Sequence, residues 1–217
     1  MKFTPLLALT ALVVAAPAAF AASTTDISVT GTITPAACTP TIAGGGNFDL
    51  GNISAADLKQ DEETIRRKRS SFSVACEGPV RFALKTTDEK LGTATDSADP
   101  EFDFGLGMNG AEKIGRYNLV LSENIVDGVA DRVFIVSSDD GLTWQSGGST
   151  LVQEVFNYQV GNRIIGLTTG SVIDGPSAIT NLSANIHLDV RIAPAKELTL
   201  TDDVQIDGAS VIEVKYL

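Results

Sequence analysis

The chain has 217 residues, a formal net charge of −11, 43% hydrophobic residues, one histidine and two cysteines. That length suits one domain, or one domain with insertions, and can bury a substantial core without help from a metal. The acidity argues against nucleic acid and anionic membrane surfaces as partners.

The first residues carry the marks of an export signal. Lys2 gives a positive start, 6–16 is apolar, and Ala19-Phe20-Ala21 has the small-x-small form of a cleavage site. The apolar run is too short for a membrane span, and no later segment approaches eighteen consecutive apolar residues. We therefore divide the chain into a signal peptide, 1–21, and a single β-sandwich domain, 22–217, with long insertions in about 86–170.

Ile27, Val29, Gly31 and Ile33 alternate with polar residues, a strand pattern that Pro35 interrupts. Cys38 falls on the opposite parity from Ile33, which requires a bulge or turn between them. In an exported protein, Cys38 and Cys76 read as a disulfide. In the chain-entropy model its closed loop contributes on the order of 4 kcal/mol. No histidine or basic residue lies close enough in sequence to either cysteine to activate a thiolate.

Residues 54–69 are the one helix candidate. Ser54 is placed as N-cap, Asp57 lies in the first turn, and Glu62/Arg66 and Glu63/Arg67 stand at i,i+4. The basic run from Arg66 to Arg69 reads as a solvated face. Phe72, Val74 and Cys76 form one inward face, and Val80, Phe82 and Leu84 another after a turn at Glu77-Gly78-Pro79. Residues 86–103 read as a surface loop whose Asp96, Asp99, Glu101 and Asp103 lack the ordered spacing of a calcium loop.

Residues 133–136 are continuously apolar, as in a strand buried on both faces. Asp140-Gly141 then predicts a hairpin turn leading to Trp144. Residues 170–176 form a second loop, and 184–192 give the cleanest alternation, with Ala184, Ile186, Leu188, Val190 and Ile192 inward. The last segment, 211–217, alternates again: Ile212, Val214 and Tyr216 against Glu213 and Lys215. It has the pattern of a core strand, which raises the question of what it pairs with.

Many short strands separated by Gly and Asp turns define an all-β sandwich. Chemistry is sparse. His187 falls on the polar face of its strand, and there is no nucleophile elbow, metal-ligand spacing or phosphate-binding glycine loop. The expectation is a protein without a cofactor, a metal or an enzymatic activity. The sequons at Asn52 and Asn181 mean little if the export signal is bacterial.

Four segments carry a family resemblance. Gly31-Thr32-Ile33-Thr34-Pro35-Ala36-Ala37-Cys38 resembles the first strand of chaperone–usher pilus (fimbrial) subunits, and Phe48-Asp49-Leu50-Gly51-Asn52-Ile53-Ser54 the segment that follows it. Phe72-Ser73-Val74-Ala75-Cys76 resembles the strand of their second cysteine, and penultimate Tyr216 their closing motif. The hairpin Ser138-Asp139-Asp140-Gly141-Leu142-Thr143-Trp144 and the end from Leu198 to Leu217 look like a fimbrial-like branch of exported proteins.

The resemblance implies an immunoglobulin-like sandwich that lacks its last strand. A periplasmic chaperone lends that strand, an outer-membrane usher follows, and a neighbouring subunit's N-terminal extension replaces the loan. Ile212, Val214 and Tyr216 would line the edge the chaperone meets, and Leu217 would present its carboxylate. Ile27, Val29, Gly31 and Ile33 would be either a donor segment for a neighbour or this domain's own first strand. The implied places are the periplasm, then the cell surface or fimbrium. A second reading is an adhesin-like module whose middle loops, near Trp144, engage a glycan or surface receptor.

Overall fold

We describe the chain from a computed structural model, in which residues 25–32, 36–147, 153–156 and 162–217 are described, 153–155 by backbone alone. The signal peptide 1–21, Ile33 and the bend at Pro35 lie outside them. The chain divides into two compact units, Met1–Thr34 and Pro35–Leu217. In the first, residues 25–32 form no strand, and Ile27 and Val29 are 87% and 93% exposed.

The second unit is an antiparallel β-sandwich. Its strands in chain order are β1 (Cys38–Ile42), β2 (Thr64–Val80), β3 (Phe82–Asp88), β4 (Phe104–Gly105), β5 (Met108–Asn109), β6 (Glu112–Lys113) and β7 (Gly115–Val126). They continue as β8 (Val129–Ala130), β9 (Val133–Ser137), β10 (Gln145–Ser146), β11 (Gln153–Val155), β12 (Ile164–Thr168), β13 (Ile179–Ile192) and β14 (Ser210–Tyr216). The first sheet has the order β1-β2-β13-β7-β11, with β4 and β8 also on β7. The second has the order β10-β9-β12-β3-β14, and β5-β6 is a small separate hairpin.

Side-chain parity explains the layers. Ala184, Ile186, Leu188, Val190 and Ile192 of β13 are buried against Phe72 and Val74 of β2 and Leu119 and Leu121 of β7. Phe82, Leu84, Phe134, Val136, Ile165 and Leu167 of the second sheet complete the same core. β9 and β12 are apolar on both faces because the outer face is covered too. Ile164 and Gly166 lie beneath Gly141, Trp144 and Pro176.

The helix expected over 54–69 is not formed. Ser54 does cap, its Oγ accepting the Ala56 N–H at 3.2 Å, but only a 3-10 turn follows, Ala55–Asp57. From Thr64 the chain enters β2 and pairs residue for residue with β13. Of the charges taken as helical i,i+4 partners, Arg67 pairs with Asp189 of β13 at 3.0 Å and Glu63 with Arg116 of β7, while Glu62 pairs locally with Lys59 at 3.0 Å. Arg69, from the basic run, lies 3.5 Å from Glu123. Strand pairing over thirteen positions outweighs the few tenths of a kcal/mol that an exposed helical pair supplies.

Two smaller expectations also change. β2 runs through Glu77-Gly78-Pro79, and the break to β3 falls at Arg81. The segment 86–103 is only partly a surface loop. β3 extends to Asp88, and Asp88 and Asp103 are buried.

Candidate functional site

The site is built from two edge strands. Among the described residues β14 pairs only with β3, in the register Ser210↔Asp88 to Tyr216↔Phe82. Just beyond its ends the Leu217 N–H donates to Arg81 O, and Glu89 N–H donates to Ala209 O. In an antiparallel ladder the two groups of one residue point the same way, and the direction alternates along the strand. The odd-numbered residues 209–217 therefore bond to β3. The N–H and C=O groups of Ser210, Ile212, Val214 and Tyr216 face the strand's other, unpaired side.

β1 forms the edge of the opposite sheet. Glu77 N–H donates to Ala37 O, so odd residues of β1 bond to β2, and Cys38, Pro40 and Ile42 face outward. This edge is blunted. Cys38 N–H is taken by Tyr216 Oη at 2.7 Å, and Pro40 has no N–H to offer. The Cys38–Cys76 disulfide joins directly opposed residues of a non-hydrogen-bonded pair, where side chains come closest. It ties β1 to the sandwich.

β1 and β14 meet at the Cys38/Tyr216 contact and leave a groove beside them of about 1610 Å³. Its walls include core residues of both sheets, among them Phe72, Leu119, Ile186 and Ile212. The segment 43–58 supplies another wall, with Phe48, Leu50, Ile53 and Leu58 packed against the core. Gly44, Gly45 and Gly46 turn that wall away from β1 at φ of 73°, 69° and 79°, a left-handed run that glycine alone adopts freely. Thr201, Asp202, Asp203, Val204 and Ile206 line the groove from irregular chain preceding β14.

Both ends of β14 are anchored. Tyr117, in the groove wall, hydrogen-bonds the Ser210 side chain, and burial pushes its phenol up to about 12. At the other end Lys215 pairs with Asp140, and Leu217 reaches the backbone of Gly141. Of the edge residues expected from the sequence, Ile212 and Val214 pack on the core, while Tyr216 and Leu217 are 46% and 47% exposed. The groove also uses Pro40, Asp49, Asp202 and Asp203, which pattern reading missed. Asp202-Asp203 between Leu200 and Val204 was the available signal.

Other candidates lie elsewhere. Trp144 is half-buried; its indole N–H donates to Gly141 O at 3.1 Å, and its ring lies beside Gly166 and Gly175. His187 sits on the outer face of the first sheet, its Nε2 2.6 Å from Ser122 Oγ. Arg69 Nε–H points at its Nδ1 at 3.4 Å, so the ring proton belongs on Nε2 and is donated to the serine. That is the wrong direction for activating Ser122 as a nucleophile. Burial, then Arg69, lowers the His187 pKa.

Among the described residues no three His, Cys, Asp or Glu side chains gather as a metal site. Asp103 instead accepts from Asn118 Nδ2 at 2.9 Å and sits 3.4 Å from Arg116 Nε. No described helix is long and apolar enough to cross a membrane.

Residues 27–118 match a family model described as "Protein of unknown function (DUF1120)". Two curated proteins of Escherichia coli (strain K12) are similar over nearly their whole length. Protein GltF is 26% identical, covering 95% of this chain and 94% of its own. Uncharacterized protein YhcF is 26% identical, covering 93% of this chain and 94% of its own. The family match takes in β1, the glycine turn, the groove wall 43–58, and β2 and β3. The two relatives extend the similarity to most of the chain.

Proposed function

We propose that this protein is a strand-accepting, pilin-like subunit, exported to the periplasm, escorted by a chaperone and an outer-membrane usher, and passed to neighbouring fimbrial subunits at the cell surface. One observation carries the reading: β14 has an open edge formed by the outward N–H and C=O groups of Ser210, Ile212, Val214 and Tyr216, and its Ser210–Ile212 end borders an open groove between the two sheets. Such an edge is a template for an added strand, with main-chain bonds giving affinity and alternating side chains giving fit. The blunted β1 edge leaves β14 as the side that bonds. Ile27 and Val29, strongly exposed and outside any described strand, suit a donor segment. The disulfide suits an oxidising compartment. Catalysis forms no part of this reading.

The test uses the asymmetry of β14. Val214 bonds outward, so Val214→Pro removes an outward donor and none of the bonds to β3. The variant, internally tagged and recovered from its host's periplasm, is expected to fold but to lose the one-to-one complex with a chaperone-sized protein that the parent chain forms. Deletion of residues 211–217 is expected to lose it as well. Equal capture of parent, Val214→Pro and truncated chains would overturn the reading.

A further inference from the structure

We propose that the groove beside β14 is shaped for a basic partner strand: an extended segment, apolar at alternate positions and flanked by lysine or arginine, supplied by a different protein. The inference rests on the strand-acceptor reading above and specifies the occupant.

The argument is one of charge. The groove's charged lining consists of Asp49, Asp202 and Asp203, all exposed, with no lysine, arginine or histidine among the described lining residues. Some surface carboxylates meet cations, Lys59 with Glu62, Arg67 with Asp189, Lys113 with Asp96 and Lys196 with Asp61. The three in the groove share one concave surface that holds no cation among its described lining residues. Asp49 and Asp202 have local hydrogen bonds, Asp49 Oδ1 accepting Gly51 N–H at 2.7 Å and Asp202 Oδ2 accepting Thr201 Oγ1 at 3.3 Å. Neither bond neutralises a charge. An incoming strand with lysine or arginine beside its apolar residues supplies what is missing and is steered inward by the acidic chain.

The same charges disfavour the chain's own segment. Residues 25–32 carry the right apolar alternation, Ile27 and Val29, but their only charge is Asp26. A second copy would bring a carboxylate to three others. The groove thus favours a heterotypic contact over a homopolymer.

The test is a pair of peptides titrated into the full, disulfide-bonded chain. One copies residues 23–33. The other carries Asp26→Lys and Thr32→Lys and keeps every apolar residue. At low salt the basic peptide is expected to bind about tenfold more tightly, from a few exposed charge interactions of modest size. At about 1 M salt, where charges are screened beyond about 3 Å, the gap is expected to close. It is also expected to close in the triple variant Asp49→Asn, Asp202→Asn, Asp203→Asn. Equal binding of both peptides at low salt overturns the charge preference and leaves strand addition standing. Binding by neither peptide overturns strand addition and the charge preference with it.

Discussion

At the level of single residues, the turn that carries Trp144 has a titratable pin. Asp139 accepts from Ser137 Oγ at 2.6 Å, Thr143 N–H at 2.9 Å and Thr143 Oγ1 at 2.5 Å. These bonds, Ser137 first and Thr143 next, lower its pKa from 3.8 to about 2. A lowered carboxylate pKa stabilises the fold above the unfolded value and ceases to do so as pH falls through the folded one. The expected outcome is a shift in Trp144 emission between about pH 4 and pH 2 that Asp139→Asn lacks. An identical acid transition in both chains would detach Trp144 from this pin. Gly175, at φ 75°, lies against the same ring, and a Cβ there would sit 3.0 Å from Trp144 Nε1. Gly175→Ala is expected to cost about 1–3 kcal/mol in a urea titration and to red-shift the tryptophan.

At the level of elements, what the sequence made legible was whatever depends on local parity. The inward face of β13, the continuously apolar β9 and the turn at Asp140-Gly141 follow from spacing within one or two strands, and the cysteine pair from an even count behind an export signal. The segment 54–69 misled because its charges satisfy two periods at once. Glu62/Arg66 fits a helix, while Arg67 and Arg69, two apart, fit one face of a strand. Only the partner, Asp189 on β13, decides, and it lies 122 residues away. Arg116 shows how a distant partner organises a loop. It binds Glu63 through both terminal nitrogens, donates to Thr95 Oγ1 at 3.0 Å and lies 3.4 Å from buried Asp103. Its side chain is 11% exposed and that of Asp103 5%. Arg116→Met takes the cation from buried Asp103 and leaves Glu63 with Arg191 alone, at 3.6 Å, and is expected to cost about 3 kcal/mol. Arg116→Lys is expected to recover little of this, because an ammonium cannot reproduce the fork. Urea unfolding, with proteolysis mapped to residues 89–103, reads both effects; a neutral Arg116→Met would make the cluster incidental.

At the level of the whole molecule, the candidate site belongs to pairings that no local pattern encodes. Ile212, Val214 and Tyr216 announced a strand with a core face, but its open side appears only when β1, 178 residues away, arrives opposite it and Tyr216 Oη takes the Cys38 N–H. The acidic lining is equally non-local, since Asp49 and Asp202 come from opposite ends of the sandwich's chain. Stability and occupancy are therefore linked. An open groove leaves core side chains and four residues' backbone groups facing solvent, so a bound strand adds to the folded state alone. At a hundred times its dissociation constant, a complementary strand stabilises by about 2.7 kcal/mol. For a chain of this size that raises Tm by about 5–10 °C. The disulfide enters the same balance, because it holds the β1 wall in place. The double variant Cys38→Ser, Cys76→Ser is expected to lose on the order of 4 kcal/mol. It should also bind the strand more weakly, because part of the binding energy must then re-order β1. Thermal melts with and without the basic peptide, on both chains, separate the two effects. A full peptide-induced shift in the cysteine-free chain would mean that β14 alone makes the site and that β1 is only its neighbour.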